Sequence, residues 1–374
     1  MKSEWIFDEP ILVTQPTLPP KELYKSYIDK IWENKWLTNS GPLHEEFKRK
    51  LQEYLGAKNT ELYTNGHLAL EIAIKTLDLK GEVITTPFTF ASTTHAIVNN
   101  GLTPVFCDVD PVTYNIDVNK IEELINENTC AIVAVHVFGT PCDVEKIEEI
   151  AQKHNLKVIY DAAHAFGVTV KGKPIGNYGD ISMFSLHATK VFNSIEGGLL
   201  TFNDTSLKSK LSALRNFGMM ENGSVDLVGL NAKMNEFQAS MGLCNLETIE
   251  EDIEKRKQIT HTYIENLKQV GHLQFLQDDP DVKRNYSYFP VLLKDEAERD
   301  ALHEKLKDYK VFTRKYFYPL INEFPCYSQY DPKDTPVALD ISHRVLCLPM
   351  YTSLELNQVK QICDIIAFEL GENK

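Results

Sequence analysis

The chain has 374 residues, of which 43% are hydrophobic, so it is long enough to form a large core and more than one domain. Its formal net charge of −14 argues against a nucleic-acid-binding protein, and no apolar run approaches the roughly 20 residues needed to cross a bilayer. Seven cysteines without a CxxC pair, and an amino-terminal stretch without an apolar signal segment, predict a cytoplasmic protein with reduced thiols.

The first elements in chain order are two amphipathic helices, predicted between residues 21 and 55 on either side of a turn at 38–42. Short apolar runs then alternate with helical segments. We expect strands at 83–86, 104–109, 131–137, 156–161, 181–185 and 198–202, and a helix at 144–154. The run at 131–137 is nearly all apolar, which is typical of a strand covered on both faces. This alternation predicts an α/β fold with a mainly parallel sheet flanked by helices.

The pattern changes near residue 246. A long charged helix is predicted at 247–270, followed by a strand at 286–293, a helix at 297–306 and a closing helix at 355–369. We therefore expect a large domain at 1–245, which includes the amino-terminal helices, and a smaller carboxy-terminal α+β domain at 246–374.

Two polar residues stand where an open α/β sheet places its ligands. Asp161 ends one predicted strand, and Lys190 follows another in a stretch that is unusually poor in charge. Taken singly, such an acid is more often a helix cap, and such a lysine is usually a surface charge. Together they match the needs of pyridoxal phosphate, whose aldehyde requires a lysine amine and whose pyridine nitrogen requires a carboxylate.

The other groups that pyridoxal phosphate needs are also available. The segment at 64–70 supplies a helix start whose N–H groups could bind the phosphate. Ser185 and Thr189 supply hydroxyls beside the lysine, and the segment at 87–93 supplies an aromatic ring for stacking. Asp108 and Asp110 resemble a metal-binding pair but are better interpreted as turn acids, and His136 as a core residue, so we expect no metal site.

With these features the chain resembles the DegT/DnrJ/StrS family of nucleotide-sugar aminotransferases. Seven segments occur in the family's order and at about its spacing, and they are TNGHLAL, TTPFTFASTTHAI, PVFCDVD, VIYDAAHAFG, GDISMFSLHATK, EGGLL and GLNAKMNEFQASMG. The resemblance implies a fold-type I aminotransferase whose large, cofactor-binding domain has a mainly parallel seven-stranded sheet. It also implies a homodimer with shared active sites, whereas the charge and the lack of a long apolar run lead us to expect no nucleic-acid or membrane partner.

The resemblance also assigns roles to individual residues. Lys190 matches the lysine that forms the internal aldimine with pyridoxal phosphate, and Asp161 matches the carboxylate on the pyridine nitrogen. The remaining cofactor-binding positions are Gly66 and His67 at the phosphate, Phe90 (or, less well, Phe88) on the ring, His164 at the ring hydroxyl, Ser185 at the phosphate, and Asn231 reaching the phosphate from the partner subunit. His187, Tyr318 and Lys233 are candidate substrate contacts.

Two positions depart from the family pattern. His67 replaces the usual Ser or Thr, so that only its backbone N–H carries over. Lys233 replaces a commoner Arg, and a lysine cannot form a bidentate fork, which leaves its role open. His187 is interpreted equally well as a substrate contact or as a structural imidazole.

The resemblance implies transfer of an amino group from L-glutamate, through pyridoxamine phosphate, to a keto sugar linked to a nucleotide. The best-matching substrate is dTDP-4-keto-6-deoxyglucose, giving dTDP-4-amino-4,6-dideoxyglucose for surface polysaccharide synthesis. A dTDP-3-keto-6-deoxyhexose is the alternative substrate. A pyridoxal-phosphate sugar dehydratase would carry histidine at position 190, and a non-catalytic regulatory relative would not need intact Asp161, His164 and Lys190.

Overall fold

The computed structural model describes residues 5–371. The α-helices within these residues are α1 (Lys21–Asn34), α2 (Pro42–Tyr54), α3 (Gly66–Thr76), α4 (Ala91–Asn99), α5 (Val118–Leu124), α6 (Val144–His154), α7 (Leu207–Leu214), α8 (Glu236–Leu246), α9 (Ile249–Leu267), α10 (Glu296–Asp308), α11 (Pro336–Arg344) and α12 (Leu356–Glu369). The strands are β1 (Asn59–Tyr63), β2 (Glu82–Thr85), β3 (Thr103–Phe106), β4 (Thr129–Val135), β5 (Lys157–Asp161), β6 (Thr169–Val170), β7 (Lys173–Pro174), β8 (Ile181–Ser185), β9 (Gly198–Phe202), β10 (Gln274–Phe275), β11 (Val282–Lys283), β12 (Phe289–Leu292) and β13 (Val345–Leu348).

The central element is a seven-stranded sheet with the strand order β1-β9-β8-β5-β4-β2-β3. The pairs β2–β3, β2–β4, β4–β5 and β5–β8 are parallel, whereas β9 runs antiparallel to both β1 and β8. This confirms the predicted α/β fold with a mainly parallel seven-stranded sheet.

The sheet is covered on both faces. In β4, Ala131 and Val133 belong to one hydrophobic core, and the alternating residues Ile132 and Ala134 belong to another. All four side chains are fully buried, as expected when successive side chains of a strand point to opposite, helix-covered faces. The apolar run predicted at 131–137 therefore reflects two-sided burial, although the strand itself ends at Val135, and His136 lies just beyond it.

The carboxy-terminal part has a smaller antiparallel sheet of β10, β12 and β13, packed with α9, α10 and α12 around its own core. Phe7 and Ile11 from the start of the chain also join this core, and the N–H of Ile11 donates to the carbonyl of Lys310 at 2.9 Å. The boundary at residues 245/246 stays a prediction. In residues 5–371 there is no helix of the length and apolar character that a bilayer span requires.

Candidate active site

A cavity of about 860 Å³ opens at the carboxyl ends of the parallel strands, where an α/β sheet places its ligands. Its floor contains Asp161 from the end of β5 and Ser185 from the end of β8. Other walls come from the starts of α3 and α4, the turn after β8, and the carboxy-terminal part of the chain. The predicted site residues that line it are Gly66, His67, Phe90, Asp161, His164, Ser185, His187 and Lys190.

Asp161 is a buried carboxylate that two donors hold in place. Its Oδ2 accepts a hydrogen bond from Thr93 Oγ1 at 2.7 Å, and its Oδ1 accepts one from the backbone N–H of Ala163 at 3.1 Å. Burial raises the pKa of the carboxyl above its usual value, and the bond from Thr93 is the strongest opposing influence. Asp161 does cap a turn through Ala163, but it also faces the cavity.

Lys190 lies in the turn that follows β8, and its backbone N–H donates to the carbonyl of His187 at 2.9 Å. Burial of the amine lowers the pKa of Lys190 from 10.5 to about 8, partly opposed by the negative charge of Asp161. A solvated surface lysine would keep its usual pKa, so this lysine has the environment of a functional amine.

His164 is a buried imidazole with spare hydrogen-bonding capacity. Its Nδ1 has no hydrogen-bond partner among the described residues, although the side chain is only 5% exposed. Its ring packs against Tyr288, with centroids 4.8 Å apart, and lies parallel to the ring of Phe317. Burial holds the pKa of His164 well below its usual value, so the ring is neutral and one nitrogen remains available to a bound molecule.

The first residues of α3 approach the end of β8 closely. A Cβ atom at Gly66 would lie 3.1 Å from Ser185 Cβ and 3.2 Å from Met183 Sδ, so any larger residue here would crowd the end of β8. Because the first N–H groups of a helix lack intrahelical partners, this end of α3 offers donors to an anion in the cavity. The imidazole of His67 is held by Ser92, whose Oγ lies 2.9 Å from His67 Nδ1.

The two candidate stacking rings have different positions. Phe90 lines the cavity and is 52% exposed. Phe88 is fully buried in a core with Phe138 and Phe317 and does not line the cavity. The geometry therefore favours Phe90 as the ring available for stacking.

His187 has a defined tautomer. Its Nδ1 accepts a hydrogen bond from the backbone N–H of Thr189 at 3.2 Å and lies 2.8 Å from the Thr189 hydroxyl. In a neutral ring the proton must then be on Nε2, which lies 3.4 Å from a carboxylate oxygen of Glu196. Both side chains line the cavity, so His187 presents a donor there and is not a core residue.

Three predicted residues lie outside the cavity of their own chain. Asn231 is exposed and pairs with Asn216 through the backbone. Lys233 donates to the Asn216 side chain at 2.8 Å and lies over the ring of Phe217. Tyr318 donates to a carboxylate oxygen of Glu296 at 3.0 Å, on the exposed surface of the carboxy-terminal part. Their predicted roles toward ligands stay predictions.

One wall of the cavity was not predicted. The carboxy-terminal part contributes it through Tyr288, Arg314, Tyr316 and Phe317. Tyr288 precedes β12 and the other three residues lie between α10 and α11, so all four reach Asp161 from more than 100 positions away in the sequence and no local signal marks them.

The remaining polar candidates have structural roles. Asp108 accepts hydrogen bonds from the N–H groups of Val337 and Ala338 at the start of α11, and Asp110 holds a turn through the N–H of Thr113. His136 is fully buried and stacks on Tyr160. No group of three metal-binding side chains occurs between residues 5 and 371.

Comparison with known proteins agrees with this geometry. The sequence pattern of the DegT/DnrJ/EryC1/StrS aminotransferase family matches residues 21–367. The chain belongs to this family. A dTDP-4-amino-4,6-dideoxy-D-glucose transaminase from Shigella dysenteriae is 43% identical over 362 residues, which cover 96% of this chain and 99% of that protein. The crystal structure of DesI in the presence of its TDP-sugar product matches with a TM-score of 0.92 at 34% identity, covering 97% of this chain and 93% of that chain.

Another relative is named for a product that carries the amino group at C3 instead of C4. A dTDP-3-amino-3,6-dideoxy-alpha-D-galactopyranose transaminase from Aneurinibacillus thermoaerophilus is 33% identical over 92% of this chain and 94% of that protein.

Aminotransferases of the DegT family depend on pyridoxal phosphate, and the cavity of this member fits that cofactor. The unpartnered Nδ1 of His164 can donate to or accept from a ring substituent. A side chain at Gly66 would fill the space beside Ser185, where a phosphate needs access to backbone N–H groups. Lys190 and Asp161 supply the amine and the carboxylate in the same cavity.

Proposed function

We propose that this aminotransferase transfers the amino group of L-glutamate to dTDP-4-keto-6-deoxyglucose and releases dTDP-4-amino-4,6-dideoxyglucose, a precursor for surface polysaccharide. The observation that carries the proposal is the placement of Asp161, His164 and Lys190 around one cavity. The choice of sugar rests on the 43% identity with the Shigella relative, whose name contains this product.

Bound pyridoxal phosphate supplies an electron sink for the carbanion that forms when the carbon bearing the amino group loses its proton. Asp161 would hold a proton on the ring nitrogen, because its carboxylate is kept in place by Thr93 and Ala163. The start of α3 and the hydroxyl of Ser185 would hold the phosphate, and Phe90 would cover the ring.

Lys190 would carry both the covalent attachment and the proton transfer. With a pKa of about 8, roughly half of its free amine is neutral at pH 8, whereas an ordinary lysine would be almost fully charged. A neutral amine can attack an aldehyde and can accept a proton from carbon, and the resulting ammonium can return that proton. Lys190 is therefore the residue whose loss should be most damaging.

A 3-keto sugar is the second candidate substrate, favoured by the identity to the Aneurinibacillus relative. The two regiochemistries differ in which carbon of the hexose faces Lys190. The Nε2–H of His187 and the carboxylate of Glu196 line the same cavity and are the polar groups available to orient the hexose hydroxyls.

The test is a panel of dTDP- and UDP-linked 3-keto and 4-keto sugars, each incubated with the enzyme, pyridoxal phosphate and L-glutamate. Mass spectrometry detects the amino sugar, and nuclear magnetic resonance locates the new amine. We expect turnover with the dTDP-4-keto sugar and none with Lys190→Ala. A product aminated at C3 would replace the first candidate with the second, and a fully active Lys190→Ala variant would contradict the mechanism.

The proposed assembly is a homodimer in the cytoplasm, in which Asn231 completes the phosphate site of the partner. Asn231 is exposed and lies outside its own cavity, which leaves its side chain free for such a role. Mixing Lys190→Ala with a strongly impaired Asn231 variant should restore activity, because one site of each mixed dimer is then intact. Verified subunit exchange without recovery would exclude a shared site.

A further inference from the structure

One cation in the cavity wall has no acidic partner. Arg314 is exposed and lines the cavity, and no carboxylate of the described residues forms an ion pair with it. The two acids of the same wall are engaged elsewhere, Asp161 with Thr93 and Glu196 with His187. An exposed guanidinium that lacks a protein partner in a substrate cavity is available to a substrate anion.

Arg314 is also held in a fixed orientation. Its backbone N–H donates to the carbonyl of Cys347 at 3.1 Å and its carbonyl accepts from the Cys347 N–H at 2.8 Å, which ties it to strand β13. The guanidinium carbon lies 4.0 Å from the ring centroid of the buried Tyr316. Stacking uses the face of the guanidinium and leaves the N–H groups at its edge free, and these are the groups that form a two-pronged contact with a carboxylate.

We propose that Arg314 binds the carboxylate of the amino donor. The inference rests on the proposed function, in which the donor is an amino acid. In that donor the carbon that loses its proton to Lys190 is bonded directly to the α-carboxylate, so a cation that shares the cavity wall with Lys190 suits it. In the nucleotide sugar, the hexose ring separates the reacting carbon from the diphosphate, which therefore lies farther from the lysine.

The electrostatic influence of Arg314 on the lysine is consistent with this placement. After burial, which is the main cause, the positive charge of Arg314 further lowers the pKa of the Lys190 amine. A carboxylate on Arg314 would neutralise that charge and make Lys190 a stronger base once the donor is bound.

The variants that test this role are Arg314→Gln, Arg314→Lys and, as a matched control, Lys315→Gln. Lys315 is the neighbouring cation, but it pairs with Asp300 at 2.5 Å and does not line the cavity, so the control removes the same charge from outside the site. The first measurement is calorimetric binding of glutarate, an unreactive dicarboxylate, to each holoenzyme. The second compares the half-reaction with L-glutamate and the half-reaction with the amino sugar, each followed by cofactor absorbance.

We expect Arg314→Gln to weaken glutarate binding and to lower the rate constant kcat/KM for glutamate by about 10- to 100-fold, the loss typical of a hydrogen bond to a charged group. Arg314→Lys should lie between this variant and the wild type, and Lys315→Gln should match the wild type. The amino-sugar half-reaction should change less than about threefold.

Unchanged glutarate binding in Arg314→Gln would overturn the inference, as would equal losses in both half-reactions or a loss confined to the amino sugar. A wild-type enzyme that reacts with neither substrate would instead overturn the proposed function. The two failures are distinguishable because glutarate binding does not require turnover.

Discussion

The hydrogen bond from Thr93 to Asp161 can be removed without changing the shape of the side chain. Thr93→Val deletes the hydroxyl that donates to Asp161 Oδ2 at 2.7 Å. The neighbouring Thr94 is a matched control, because it is also fully buried but its hydroxyl has no hydrogen-bond partner in the described part of the chain. The two substitutions remove the same atom from the same helix. Thr93→Val removes the bond to the carboxylate and a contact of 2.8 Å with the Thr89 hydroxyl, and Thr94→Val removes neither.

The size and sign of the effect follow from the surroundings of Asp161. Burial raises the pKa of this carboxyl, and the bond from Thr93 lowers it. A hydrogen bond to a charged acceptor contributes about 1.5–3 kcal/mol, which corresponds to a change of about 10- to 100-fold in an equilibrium constant. Thr93→Val should therefore raise the pKa of Asp161 further, because the ionised form loses that stabilisation while the protonated form loses less. The ionised form needed to bind a protonated ring nitrogen is then lost at a higher pH as the solution is acidified.

The assay is the rate at which the protein without cofactor takes up pyridoxal phosphate, followed by absorbance between pH 5 and 9. Protonation of Lys190 lowers the rate below its pKa, and protonation of Asp161 steepens the decline at lower pH. Thr93→Val should move only the second change upward, and Thr94→Val should leave the profile in place. Superimposed profiles for the two variants, or a shift in Thr94→Val, would refute the role assigned to Thr93.

Three further predictions follow from the same contacts. Asp161→Asn should fold with an undiminished thermal midpoint, because it removes a buried charge, yet lose at least about 100-fold in turnover; near-normal turnover would leave Asp161 only a cap. The rate of pyridoxal phosphate uptake by the wild type should rise with pH, with a midpoint near 8 set by Lys190. A midpoint above 10 would contradict the burial of the Lys190 amine. Gly41→Ala should destabilise the protein by about 1–3 kcal/mol, because its Cβ would meet Glu236 Cδ at 2.6 Å, whereas Gly271→Ala, with nothing within 4 Å, should be neutral in thermal unfolding.

The elements that were predicted correctly from the sequence are those whose apolar residues recur at a regular spacing. Helix α6 matches the predicted range 144–154, because its apolar face repeats every three to four residues and Asp143 caps its start through the N–H of Lys146. Strand β1 was not predicted. Its middle residue, Glu61, is buried and forms ion pairs with Lys48 and Arg215. Because these partners lie outside the strand, the strand sequence alone shows no apolar pattern that would predict burial.

The site residues that follow strands of the large sheet were predicted, whereas those contributed by the carboxy-terminal part were not. Asp161 and Lys190 follow recognisable strands, so their position at one edge could be expected. Arg314 and Tyr316 reach the cavity because their segment pairs with β13 of the carboxy-terminal part, a contact between distant positions in the sequence. Tyr318, two residues further, contacts Glu296 outside the cavity, a difference that depends on the local chain path and not on residue type.

One physical cause acts in opposite directions on the two groups that would handle protons. Burial disfavours the charged form of each, so it raises the pKa of Asp161 and lowers that of Lys190. The lysine amine is thereby brought to about 8, within the range where it can both accept and release a proton near neutral pH. The same burial destabilises the protein while the cavity holds no partner for these groups, and a cofactor that offers an aldehyde to the amine and a cation to the carboxylate would offset that cost. The desolvation that makes the site reactive therefore also favours retention of the cofactor.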